Sequence, residues 1–76
     1  MGLSELQSFY NSHCRFKLRS GREVFGVIWT VGSTEGDRLV FASVQDYKRA
    51  MSGVVDKSHL VDLGPDEIVW AQRLVG

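Results

Sequence analysis

Arg15, Lys17, Arg19 and Arg22 are the residues best placed to do chemistry, on a stretch from 13 to 22 that holds no acid. The first three alternate with Cys14, Phe16 and Leu18, a period of two that sets them on one strand face about 6.6 Å apart. That spacing approaches the phosphate repeat of an extended single strand, so the stripe suits an anion or single-stranded nucleic acid. A solvated strand face is the plainer reading. Phe16, a ready stacking platform, falls on the face opposite the cations. Nine Lys and Arg are balanced by nine Asp and Glu, for a formal charge of zero, whereas a chain living by phosphate contacts usually carries a cation excess.

Asp62, Asp66 and Glu67 form an acidic corner around Gly64-Pro65. It reads first as a solvated turn. Its alternative use is as the complement of the basic stripe, either in a neighbouring copy or within one chain. His13, His59 and Cys14 are the metal-ligand types present, but they lack close-set ligand spacing, and adjacent strand residues face opposite ways. Ser58, His59 and Asp62 supply the types of a hydrolytic triad in an order that specifies none. A single cysteine excludes an internal disulfide and any Cys-x-x-Cys motif. Cys14 therefore reads as a buried thiol, and the chain as non-enzymatic, without metal or cofactor.

The apolar residues make a stronger demand than the polar ones. Phe25, Val27, Trp29 and Val31 share one face of a strand, while Val24 and Ile28 take the other. Trp70 lies in a second strand with Val69 and Ala71 on its opposite face. Trp29 and Trp70 read first as core. Yet two strands apolar on both faces exceed what one short helix covers. Phe25, Val27, Trp29 and Trp70 are accordingly the candidate interface, for a second copy or another protein.

The elements that must position these groups fit one domain, residues 1–76. With 43% hydrophobic and 24% charged residues, composition is that of a soluble globular domain. Leu3, Leu6 and Phe9 or Tyr10 predict a helix over about 4–11, with Ser4 as N-cap and Gln7 as its capping-box partner. A barrel over about 13–75 follows. Its parts are a strand from Cys14, the Ser20-Gly21 turn, a strand over 24–31 and a loop over 32–37, then a strand over 38–42. Residues 43–51 form a helix closed by Gly53, or else an irregular strand and loop. Val54-Val55 and residues 59–63 are strand material. Gly64-Pro65-Asp66-Glu67 is a 3₁₀ turn before the last strand, residues 68–74. Gly26, inside an otherwise apolar strand, predicts a bend or a close backbone approach. Five short strands then predict a mainly β fold, a small bent SH3- or Sm-like barrel whose closure hides the sheet edges.

Leu18, Gly21 and Gly26, followed by Val27 and Ile28, resemble the first motif of the Sm-like proteins over residues 4–42. The resemblance implies an N-terminal helix, a five-stranded bent barrel, a ring oligomer and single-stranded RNA bound near its pore. That family's aspartate and asparagine ligands fall here on Gly32 and Gly36, and its basic second motif on the acidic stretch 63–67. On this resemblance the fold is expected to carry over and the RNA site is not. The leading expectation is a protein-interaction or self-associating module. The alternative is an Sm-like single-stranded RNA binder using Arg15, Lys17, Arg19 and Arg22. With no signal peptide and no apolar run of about 18 residues, a cytoplasmic location without membrane contact is expected.

Overall fold

The computed structural model describes residues 1–34, 36–53 and 60–74. Leu3–Leu6 form α1, which continues as a 3₁₀ turn over Gln7–Phe9. Strands β1 (Cys14–Leu18), β2 (Glu23–Ser33) and β3 (Gly36–Ala42) follow. Helix α2 (Val44–Met51) precedes a two-residue β4 (Val61–Asp62), a 3₁₀ turn over Pro65–Glu67 and β5 (Ile68–Arg73). The strands pair antiparallel in the order β4-β3-β2-β1-β5. Leu18 and Arg22 close the first hairpin through main-chain bonds, with Gly21 at φ +94°, a dihedral that glycine adopts without steric cost.

Gly26 is the pivot of the sheet. β2 pairs with β1 from Glu23 to Gly26 and with β3 from Val27 to Ser33. A Cβ at Gly26 would meet the Ala42 carbonyl oxygen at 2.3 Å and the Phe41 ring at 2.7 Å. The absent side chain lets Phe41 close over the strand and stand edge-on to Phe16, centroids 6.1 Å apart. The close approach expected from sequence is therefore present.

Each face of the sheet has its own core. On the inner face, Leu6, Cys14, Phe16, Ile28, Leu39, Leu63 and Ile68 are buried together. Helix α1 supplies Leu6 to this cluster, and Phe9 and Tyr10 pack at its margin. On the outer face, Val27, Trp29, Val40 and Ala42 lie beneath α2, which contributes Val44, Tyr47 and Ala50. Those three recur every third residue, the spacing of one helical face. Ser43 caps α2 by accepting from the Asp46 amide at 3.2 Å, and Gly53 follows its end at φ +90°. Of the two readings of residues 43–51, the helix forms.

The barrel does not. Its closure would require β4 and β5 to pair, and they lie at opposite edges of an open sheet. Two residues of β4 offer almost no ladder to close on. Over residues 27–29 the apolar strand β2 is covered by helices instead, α1 on the inner face and α2 on the outer, while Phe25 and Trp70 stay uncovered. With the barrel goes the SH3- and Sm-like assignment, and with it the ring and pore which that resemblance implied.

Other expectations shift in detail. Gly2 rather than Ser4 is the N-cap of α1, so the Ser4–Gln7 box is not made. Of the strand over 59–63, β4 keeps Val61–Asp62, while Val54-Val55 and His59 lie outside the described residues. In β5 the register slips, with Leu18 opposite Ile68 but Lys17 opposite Trp70. Val69 is thus a bulge residue, and both Val69 and Trp70 are exposed. The last strand does not have two packed faces at Trp70.

Candidate functional site

Register brings the sequence-selected cations and aromatics onto one surface. Arg15 sits opposite Phe25 on β2 and opposite Gln72 on β5, and Lys17 sits opposite Glu23 and Trp70. Directly opposed residues project from the same face, here the outer one. The Arg15 guanidinium lies 4.8 Å from the Trp70 ring centroid and donates through Nη2 to Gln72 Oε1 at 3.1 Å. Its Nε is buried without an acceptor. Phe25 is 55% and Trp70 39% exposed.

Helix α2 decides which part of the apolar face stays open. It covers Val27 and Trp29, with Trp29 edge-on to Tyr47 at 5.1 Å. The Tyr47 hydroxyl donates to Asn11 Oδ1 at 3.2 Å, tying the helix to the segment before β1. Of the four candidate interface residues, Phe25 and Trp70 lie open and Val27 and Trp29 are buried. Sequence periodicity placed Phe25, Val27 and Trp29 together correctly. It did not show that α2 would stop short of Phe25.

The basic stripe divides. Arg15 and Lys17 stay on the outer face, while Arg19 turns to the 3₁₀ turn. There its Nε and Nη2 donate to the Asp66 carbonyl oxygen at 3.2 and 2.9 Å, and its amide donates to the Glu67 carbonyl. Asp62 pairs with Arg38 at 2.5 Å. Stripe and acidic corner thus meet within one chain through Arg19 and main-chain oxygens, and a different arginine takes the Asp62 carboxylate. Arg22 is exposed at the hairpin turn.

Cys14 is fully buried. Burial pushes its thiol above the ordinary value of 9.0, the nearby Arg73 pulling the other way. Burial, and then the Asp37 carboxylate, raise the Tyr10 phenol above 10.0. Tyr10 and Asp37 were not singled out from sequence, since each looks like an ordinary margin residue until β3 and the N-terminal segment are packed together. Among the described residues, no group of three His, Cys, Asp or Glu is disposed to hold a metal. No helix among them is long and apolar enough to cross a membrane. No protein-family model matches the chain, nor does any curated protein or solved structure.

Proposed function

We propose that the chain is a non-enzymatic interaction module that docks through the outer face of β5-β1-β2, centred on Phe25, Arg15 and Trp70. One observation carries this reading: two large aromatics flank an arginine on the portion of the sheet that α2 leaves bare. Aromatic and arginine side chains concentrate binding energy at protein interfaces. Arg15 is already held by Trp70 and Gln72, so little side-chain freedom remains to be lost on docking. The positive charge of Arg15, with the exposed Lys17 beside it on the same face, favours a partner carrying a carboxylate. A second copy is the first partner to test. Sedimentation velocity from about 1 to 100 µM covers the range of modest self-affinities. The expected result is a mass rising above 8.5 kDa, reversed by Phe25→Ser or Trp70→Ser with the circular dichroism unchanged. A monomer at every concentration removes self-association.

A second reading rests on the same co-location. Phe16 faces away from Arg15 and Lys17, but Phe25 and Trp70 supply on their face the stacking platforms a single-stranded nucleic acid uses. Titration with labelled single-stranded RNA at two salt concentrations separates the readings. A dissociation constant tighter than about 10 µM that weakens steeply with salt selects nucleic acid. Absence of binding removes it.

A further inference from the structure

A cleft of about 340 Å³ opens on the inner face, where the N-terminal segment, the β2–β3 hairpin and the turn before β5 converge. That volume falls within the range of small-ligand sites. Its floor is apolar, made by Leu39, Leu63 and Pro65. Four polar side chains stand around this floor: Gln7, Tyr10, Thr30 and Asp37. Strand alternation explains the grouping. Thr30 opposes Leu39 and Asp37 opposes Gly32, all on the inner side, while Arg38 between them projects outward to Asp62.

The cation nearest to Asp37 in sequence is therefore turned away and already paired. Asp37 makes no ion pair among the described residues. Among the described residues its carboxylate is the lone formal charge on the cleft wall. Tyr10 holds its proton beside it, since burial and the neighbouring charge both oppose ionisation. The wall thus offers one anion, a phenol, a hydroxyl and the Gln7 carboxamide next to a hydrophobic floor.

We propose that this cleft binds a small organic ammonium carrying an aryl or compact alkyl body. The ammonium pairs with Asp37 and donates to the Tyr10 or Thr30 oxygen. The body lies on Leu39, Leu63 and Pro65, where apolar contact supplies affinity and the polar groups fix orientation. The assignment is independent of the outer face and survives failure of either reading given for it.

The experiment is an amide-resolved NMR titration with 2-phenylethylamine and two probes of the same body, 2-phenylethanol and 3-phenylpropionate. The ammonium is expected to shift the amides of Tyr10, Asp37, Leu39 and Leu63. It should bind about fivefold more tightly than the alcohol, the upper end for an ion pair at an exposed carboxylate. The propionate should bind most weakly of the three. Asp37→Asn should bring the ammonium down to the alcohol's affinity and leave the alcohol unchanged, which shows that the cleft itself is intact. Equal affinity for ammonium and alcohol in the parent protein overturns the proposal, as does a shift pattern on the outer face or none at about 10 mM, weaker than any useful site. Nα-acetyl-lysine amide presents the same ammonium as a protein side chain would. Tighter binding of that probe than of 2-phenylethylamine overturns the small-molecule assignment in favour of a lysine-bearing partner.

Discussion

The Cβ that Gly26 lacks would lie 2.3 Å from a main-chain oxygen and 2.7 Å from the Phe41 ring, and backbone cannot swing aside as a flexible side chain can. Gly26→Ala is expected to cost at least about 2 kcal/mol through overpacking, read as a lower urea midpoint at unchanged slope. Cys14 and Tyr10 make a second prediction, on pH. Both hold their protons more tightly folded than unfolded. Their contribution is complete below the unfolded values near 9 and 10, and is lost as pH rises through the raised folded values. Urea unfolding at pH 8 and at progressively higher pH should show stability falling on the alkaline side. Cys14→Ala and Tyr10→Phe should each flatten that fall. In native protein at pH 8 the Cys14 thiol should react with a disulfide reagent far more slowly than in urea, because it is both protonated and buried.

Helix α2 shows what a single element contributes. It is short, and what holds it is the Val44, Tyr47 and Ala50 face on Trp29 together with the Ser43 cap. Ser43→Ala is expected to cost about 1 kcal/mol, as is usual for loss of an N-cap. Trp29 reports the effect directly. In a Trp70→Phe background, its emission should move to longer wavelength at a lower urea concentration than in the parent. At the sheet edge, the Arg38–Asp62 pair ties β4 to β3, but both side chains are more than half exposed. Asp62→Asn should therefore cost less than about 1 kcal/mol, and thermal denaturation should barely move.

At the scale of the molecule, two cores back onto one strand. Ile28 belongs to the inner cluster and its neighbours Val27 and Trp29 to the outer. Neither cluster can be lost without β2 losing a packed face, so unfolding is expected to be a single transition. Trp29 fluorescence, isolated by Trp70→Phe, and far-ultraviolet circular dichroism should give superimposable curves. Separate midpoints would show that α2 and the outer core melt apart from the inner one. The open sheet also leaves β4 and β5 as edges, and the exposed pair Val69 and Trp70 sits on one of them.

Local pattern alone determined much of this protein. Alternation placed Cys14 and Phe16 inward and Arg15 and Lys17 outward, and the proline turn before the last strand and the glycine at the bend were legible in the same way. These features depend on the period of two, the fixed φ of proline and the missing Cβ of glycine, which act over a few residues. The capping pattern at Ser43 left helix and irregular strand both open. Closure of the sheet was not local. A doubly apolar strand demands cover, and sequence does not say whether a neighbouring strand, a helix or a second chain provides it. Packing set helices over both faces of β2 at residues 27–29 and left Phe25 and Trp70 bare. The candidate sites divide along the same line: the alternation that groups Phe25 with Trp29 is in the sequence, but cross-strand register set Phe25 and Trp70 around Arg15. Tertiary packing likewise brought Tyr10 to Asp37, because residues far apart in the chain become neighbours only once the strands between them have paired.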